Sequence, residues 1–193
     1  MGRIAIVTGA ASGIGQALAG ALVARGDTVV VADVDKDGAE RTAGDLSERG
    51  PGAATAAPVD VRDAGAVQAL VDQTRDRYGR LDLMVNNAGI AVGGETRELL
   101  LAHWDRVIDV NLRGVVHGVH AAYPVMVEQG WGHIVNTASL AGLLPSPWAT
   151  PYAMTKHGVV GLSLSLRAEA GAITSAVLRS MPRTMSWASR SGA

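Results

Sequence analysis

Two side chains near the end of the chain have the types and spacing for proton chemistry. Tyr152-Ala153-Met154-Thr155-Lys156 sets a phenol and an ammonium four residues apart, which is one face of a helix. A free phenol is a weak base at neutral pH, and a nearby cation favours its phenolate. Such a pair can take a proton from a hydroxyl or return one to a carbonyl oxygen. By itself a Tyr-x-x-x-Lys spacing is common, and the chemistry requires a second reactant held beside it. Ser139 lies 13 residues upstream, at the end of a β-branched run, Gly132-His133-Ile134-Val135-Asn136-Thr137-Ala138.

The second reactant has a candidate seat at the start of the chain. Thr8-Gly9-Ala10-Ala11-Ser12-Gly13-Ile14-Gly15 follows the apolar run Ile4–Val7 and precedes a helical pattern with Ile14, Leu18, Ala21 and Leu22 on one face. Strand, glycine turn and helix make the setting of a phosphate-binding turn. Glycines let the backbone come close to a pyrophosphate, and the helix start offers free N–H groups and partial positive charge. An ordinary tight turn is the competing explanation. Asp33 ends a second apolar run, 28–32, and lies 18 residues after Gly15. A carboxylate there suits the hydroxyls of an adenosine ribose and repels a 2′-phosphate. With Ser12 and Val34 supplying no positive charge, NAD is favoured over NADP. Capping of a turn is the plainer role for Asp33.

The elements that must hold these groups alternate regularly. Helices are predicted at 36–49 and 64–78, the second with Val67, Leu70, Val71, Thr74 and Tyr78 on its apolar side. Strands are predicted at 54–59, ending at Asp60 and Val61, and at Leu81–Val85, running into Asn86-Asn87-Ala88-Gly89. Asp60 serves equally as an N-cap for the next helix. A long helix over roughly 103–129 carries an apolar stripe with one polar residue in it, Asn111, and a last helix covers about 152–170. This alternation predicts a Rossmann-type α/β fold, a doubly wound parallel sheet in a single domain. His117 and His120 lie three apart on the long helix, but no third ligand is evident; a surface or interface pair is expected rather than a metal site. The loop 140–151, with Leu143, Leu144, Pro145, Pro147 and Trp148, is either a wall for a hydrophobic substrate or a packing loop over the sheet end.

The glycine turn, Asp33, Asn86–Gly89, Asn111, Ser139, Tyr152 and Lys156 occur in the order and approximate spacing of the short-chain dehydrogenase/reductase family, which residues 4 to about 170 resemble. The resemblance implies hydride transfer between NAD and a secondary alcohol or ketone. It implies Tyr152 as general base or acid, Lys156 as its activator and as holder of the nicotinamide ribose, and Ser139 as donor to the substrate oxygen. Asn111 would anchor a water in a proton relay. Thr8, Gly9, Ser12, Gly13, Ile14, Gly15, Asp33, Asp60, Val61, Asn87, Ala88 and Gly89 would bind the cofactor, with Asp60 and Val61 beside the adenine. Family members pair through the two long helices, so a homodimer or homotetramer is expected.

After Ala170 the pattern breaks. Residues 172–180 make a weak strand, Met181-Pro182-Arg183-Thr184 lacks the expected glycine, and the remainder, with Trp187, is rich in Ser, Arg and Met. A shortened or frame-altered C-terminus is expected, and with it the alternative of an inactive dinucleotide-binding protein. Composition narrows the field further. The 193 residues are 48% hydrophobic with a net charge of −1, which gives no electrostatic basis for nucleic acid or an anionic membrane. Cysteine is absent, which removes thiol chemistry. With no membrane-length apolar run and no room for a signal peptide ahead of the first strand, a cytoplasmic protein is expected.

Overall fold

β1 (Ile4–Thr8) is apolar at four of its five positions and buried at all of them. A strand buried on both faces belongs in the middle of a parallel sheet covered by helices, and that is where it lies. The computed structural model describes residues 2–170 in full and the backbone of 174–180. The order of elements is β1, α1 (Gly13–Ala24), β2 (Thr28–Asp33), α2 (Lys36–Arg49), β3 (Ala53–Pro58), α3 (Ala64–Tyr78), β4 (Leu83–Asn86), α4 (Leu101–Ile108), α5 (Gly114–Gln129), β5 (His133–Ser139), α6 (Thr150–Ala170) and β6 (Thr174–Ser180). The strands form one sheet in the order β3-β2-β1-β4-β5-β6, and every neighbouring pair is parallel. This is the doubly wound Rossmann topology, with its switch point between β1 and β4.

Alternate residues of β1 feed opposite layers, as the pleat requires. Ile6 packs with Met84 and Ile134 under α3 and α5, through Val67, Val71, Ala122 and Met126. Ala5 and Val7 pack with Val29, Val31 and Val85 under α1 and α2, through Ala19, Val23 and Ala39. Local signals set the helix ends. Asp35 caps α2 by accepting from the Gly38 N–H at 3.0 Å, and Gly79, in the left-handed region, closes α3.

Two expectations change and one is met. The N-cap of α3 is Asp63, which accepts from the Ala66 N–H at 3.1 Å, so Asp60 is not a cap. The predicted helix 103–129 is α4 and α5 joined through a π-helical turn, Asp109–Arg113, and Asn111 sits in that turn. Asn111 is fully buried there, as its place in the apolar stripe predicts. The weak strand forms as β6 and pairs with β5 from His133↔Thr174 to Ser139↔Ser180. Residues 181–193, including Met181, Pro182 and Trp187, lie outside the described residues. Among the described residues no helix is long and apolar enough to cross a membrane.

Candidate active site

A cavity of about 770 Å³ opens at the carboxyl ends of the strands, across the switch point. In open α/β sheets this crevice is where ligands bind. The glycine turn forms one wall. Gly9 and Gly13 have φ of +65° and +56°, which favours glycine. A Cβ on Gly9 would lie 2.7 Å from the Ala88 Cα, and one on Gly15 would lie 2.1 Å from the Gly9 carbonyl oxygen. The turn and the end of β4 are therefore packed backbone to backbone. Ser12 is the N-cap of α1, yet its hydroxyl makes no capping bond. The helix start thus presents its N–H groups without an internal acceptor, the chemistry an anionic pyrophosphate needs.

One asparagine and one threonine join the wall. The Asn87 Nδ2 donates to the Thr8 and Gly9 carbonyls at 3.0 and 3.3 Å, and its Oδ1 accepts from the Thr137 hydroxyl at 3.2 Å. The Thr8 hydroxyl accepts from the Asn87 and Ala88 N–H groups at 3.0 and 3.1 Å. Thr8 itself is buried and does not line the cavity; it braces the residues that do. Asp33 lines the cavity and is oriented by two backbone donors, Ala11 N–H at 2.9 Å and Asp35 N–H at 3.0 Å. Val34 beside it is exposed and neutral.

Further along, Asp60, Val61 and Arg62 line the cavity from the end of β3. The Arg62 Nε donates to both Asp60 carboxylate oxygens at 3.0 and 2.9 Å, and this hydrogen bonding holds the Asp60 carboxyl below its ordinary range.

Tyr152 and Lys156 reach the same cavity from α6. The Lys156 ammonium lies 5.7 Å from the centre of the Tyr152 ring, so the four-residue spacing does place both on one face. Lys156 is 3% exposed. Its Nζ donates to the Thr137 carbonyl at 2.7 Å, and burial brings it down from 10.5 to about 8. A lysine is out of water here for the sake of its position, since desolvation opposes its charge.

Asn111 and Ser139 stand behind this surface and do not line the cavity. The Asn111 amide is paired with the backbone of Ile90, accepting from its N–H and donating to its carbonyl, each at 2.8 Å. It also donates to the Thr155 hydroxyl at 3.4 Å. Ser139 ends β5, is 3% exposed, and accepts from the Ala141 N–H at 3.2 Å; its hydroxyl proton remains for another acceptor. The loop after it, with Leu143, Leu144 and Trp148, is exposed. Trp148 adopts φ of +59°, and its carbonyl accepts from the Gly94 N–H at 2.8 Å.

The geometry thus unites both ends of the sequence pattern in one crevice. The family model described as short chain dehydrogenase matches residues 3–183. The chain belongs to the short-chain dehydrogenase family. D-threitol dehydrogenase of Mycolicibacterium smegmatis is 41% identical over 171 residues, covering 88% of this chain and 65% of that protein. Levodione reductase of Leifsonia aquatica is 39% identical over 171 residues, covering 88% and 64%. A short-chain dehydrogenase/reductase from Burkholderia phymatum, solved in complex with NAD, superposes with a TM-score of 0.85 at 38% identity, covering 92% of this chain and 65% of that one. The chain thus spans slightly under two thirds of the length of these short-chain dehydrogenases.

Thr137, Ile90 and Arg62 were not apparent as site residues in the sequence. Thr137 had one weak signal, its place at a strand's carboxyl end. Ile90 acts through backbone groups, which no residue type announces. His117, expected at a surface or interface, is half-buried, and its Nδ1 lies 2.8 Å from the Val61 carbonyl oxygen.

Proposed function

We propose that this chain binds NAD in the crevice and interconverts a secondary alcohol and a ketone. The observation that carries this is the convergence of Tyr152 and Lys156 on the cavity whose other wall is the glycine turn. The residues fit a dinucleotide along its length: N–H groups of α1 for the pyrophosphate, Asp33 for the adenosine ribose, and Val61 at the far end for the base. Lys156 takes the nicotinamide ribose. The nicotinamide, when bound, accepts or supplies the hydride.

In oxidation the Tyr152 oxygen accepts the hydroxyl proton of the alcohol while the carbinol carbon loses its hydride. In reduction the same oxygen returns a proton to the carbonyl oxygen. The Lys156 ammonium offsets negative charge on the phenol oxygen. Ser139 donates to the substrate oxygen, and Asn111 anchors the water of a relay to solvent. The neutral Val34 and the Asp33 carboxylate favour NAD over NADP. The exposed apolar loop 143–148 supports a hydrophobic substrate. Val116 on α5 and Met154 and Leu164 on α6 are exposed apolar residues, which supports pairing with a second copy through these helices.

Titration with NAD and NADP, followed by a panel of secondary alcohols with reduced nicotinamide as the readout, tests this. Turnover with NAD is expected. Binding without turnover on any alcohol or ketone would favour the second reading, a dinucleotide-binding protein without catalysis. That reading is motivated by the unusual sequence after Ala170.

A further inference from the structure

Val61 is held from two sides by one helix. The His117 ring bonds to the Val61 carbonyl at 2.8 Å. A carbonyl can only accept, so Nδ1 carries the proton. One turn earlier, Gly114 packs so tightly on the Val61 side chain that a Cβ there would lie 2.8 Å from the Val61 Cγ2. Val61 is 8% exposed and lines the cavity. Among the described residues its own N–H has no hydrogen-bond partner. A side chain and a carbonyl anchored to α5 fix the Cα frame of residue 61, and with it the position of the nitrogen that carries this donor.

The position of Val61 says what this donor would meet. In a doubly wound sheet the acid at the end of β2 takes the adenosine ribose. The base on that ribose then lies toward the end of β3, where Val59–Arg62 line the cavity. The same helical segment works at the other end as well. Asn111, six residues before His117, pins Ile90, next to Gly89, where an added Cβ would lie 3.7 Å from the Lys156 Nζ. The segment 111–117 therefore braces residues at both ends of the cavity, and a histidine that does not itself line it holds one of them.

We infer that His117 is a positioning residue for the adenine end of the dinucleotide site, acting through the Val61 backbone. The inference rests on the proposed NAD binding. It calls for ligands that separate the two halves of the cofactor: ADP-ribose, which has the adenine but no nicotinamide, and nicotinamide mononucleotide, which has the reverse.

Calorimetric titration of both probes into wild type and His117→Leu is the test. The leucine removes the donor, and ADP-ribose binding is expected to weaken about tenfold, in line with one lost hydrogen bond. Binding of nicotinamide mononucleotide should stay within about twofold. His117→Asn, which carries an N–H at the same distance from the backbone, should restore most of the ADP-ribose affinity. An equal loss for both probes would assign His117 a general structural role and overturn the inference, as would no loss for either. Should the leucine variant not fold, Gly114→Ala disturbs Val61 from the other side and should give the same asymmetry; an even-handed effect there overturns it too. Failure of wild type to bind either probe would instead refute the dinucleotide site as a whole.

Discussion

Asn111 and Ile90 hold each other by two opposed hydrogen bonds of 2.8 Å, amide to backbone in both directions. The arrangement copies one rung of a strand pair, using a side chain from a π-helical turn. Asn111→Leu fills similar space but leaves the part-buried N–H and carbonyl of Ile90 without these partners. A fully buried group left unpaired costs about 1–3 kcal/mol, and less where water reaches it. Urea denaturation should show a loss of about 1 kcal/mol or more; an unchanged midpoint would contradict the bracing role.

Tyr152→Phe removes one oxygen and little packing. Turnover is expected to fall by at least about a hundredfold, the lower range of acid–base contributions, while the dissociation constant for NAD stays nearly constant. Wild-type-like turnover would remove Tyr152 from the chemistry.

In the proposed site the Asp33 carboxylate lies where the cofactor's 2′ substituent would meet its charge. Asp33→Ala should weaken NAD binding and narrow its preference over NADP, by about tenfold or more in the ratio of dissociation constants. Because Asp33 also orients Ala11 and Asp35, the ratio is the informative quantity. A constant ratio, even with both affinities reduced, counts against the ribose role.

Lys156 gives the fold a pH signature. Burial depresses its ionisation from 10.5 to about 8, so between those values the unfolded chain binds more protons than the folded one. Stability contributed by this residue therefore rises with pH across that window and is at its lowest, and flat, below about pH 8. The denaturation free energy of wild type relative to Lys156→Met should climb by an amount on the order of a few kcal/mol over the window. A difference independent of pH would mean that the ammonium is not desolvated.

Gly15 tests the packing of the phosphate turn. Its missing Cβ would lie 2.1 Å from the Gly9 oxygen and 2.6 Å from the Asn87 Nδ2. Gly15→Ala should cost about 1–3 kcal/mol in denaturation and weaken NAD binding as the turn shifts. A variant as stable as wild type with full affinity would show that the turn has slack.

Much of this was legible before any coordinates. The doubly wound parallel sheet follows from alternating elements, and the glycine wall of the cavity from small residues at strand ends, because both depend on backbone rules that leave a residue-type trace. What escaped depends on pairings across the chain. Asp60 and Asp63 are equally good caps by type, and only the path of the turn gives the cap to Asp63. The π-helical turn Asp109–Arg113 escaped because periodicity alone reads it as more helix. His117 looked like half of a surface pair because nothing in its neighbours reveals the carbonyl of Val61. Asn86, Asn136 and Ser163 form a buried polar chain between β4, β5 and α6 at 2.8 and 2.9 Å, joining residues up to 50 positions apart that no local window contains.

No described strand in this sheet is joined to its partner by a hairpin, and the β1–β4 pairing brings Ala5 against the distant Leu83. A growing polypeptide leaving the ribosome therefore carries the glycine turn for a long interval before Asn87 and Ala88 arrive to close its back. Until then β1 has an apolar edge open to neighbours, a state that favours clumping and slows maturation. Chaperone dependence during synthesis, eased by supplying the nucleotide once residue 88 has emerged, is the behaviour this wiring leads one to look for.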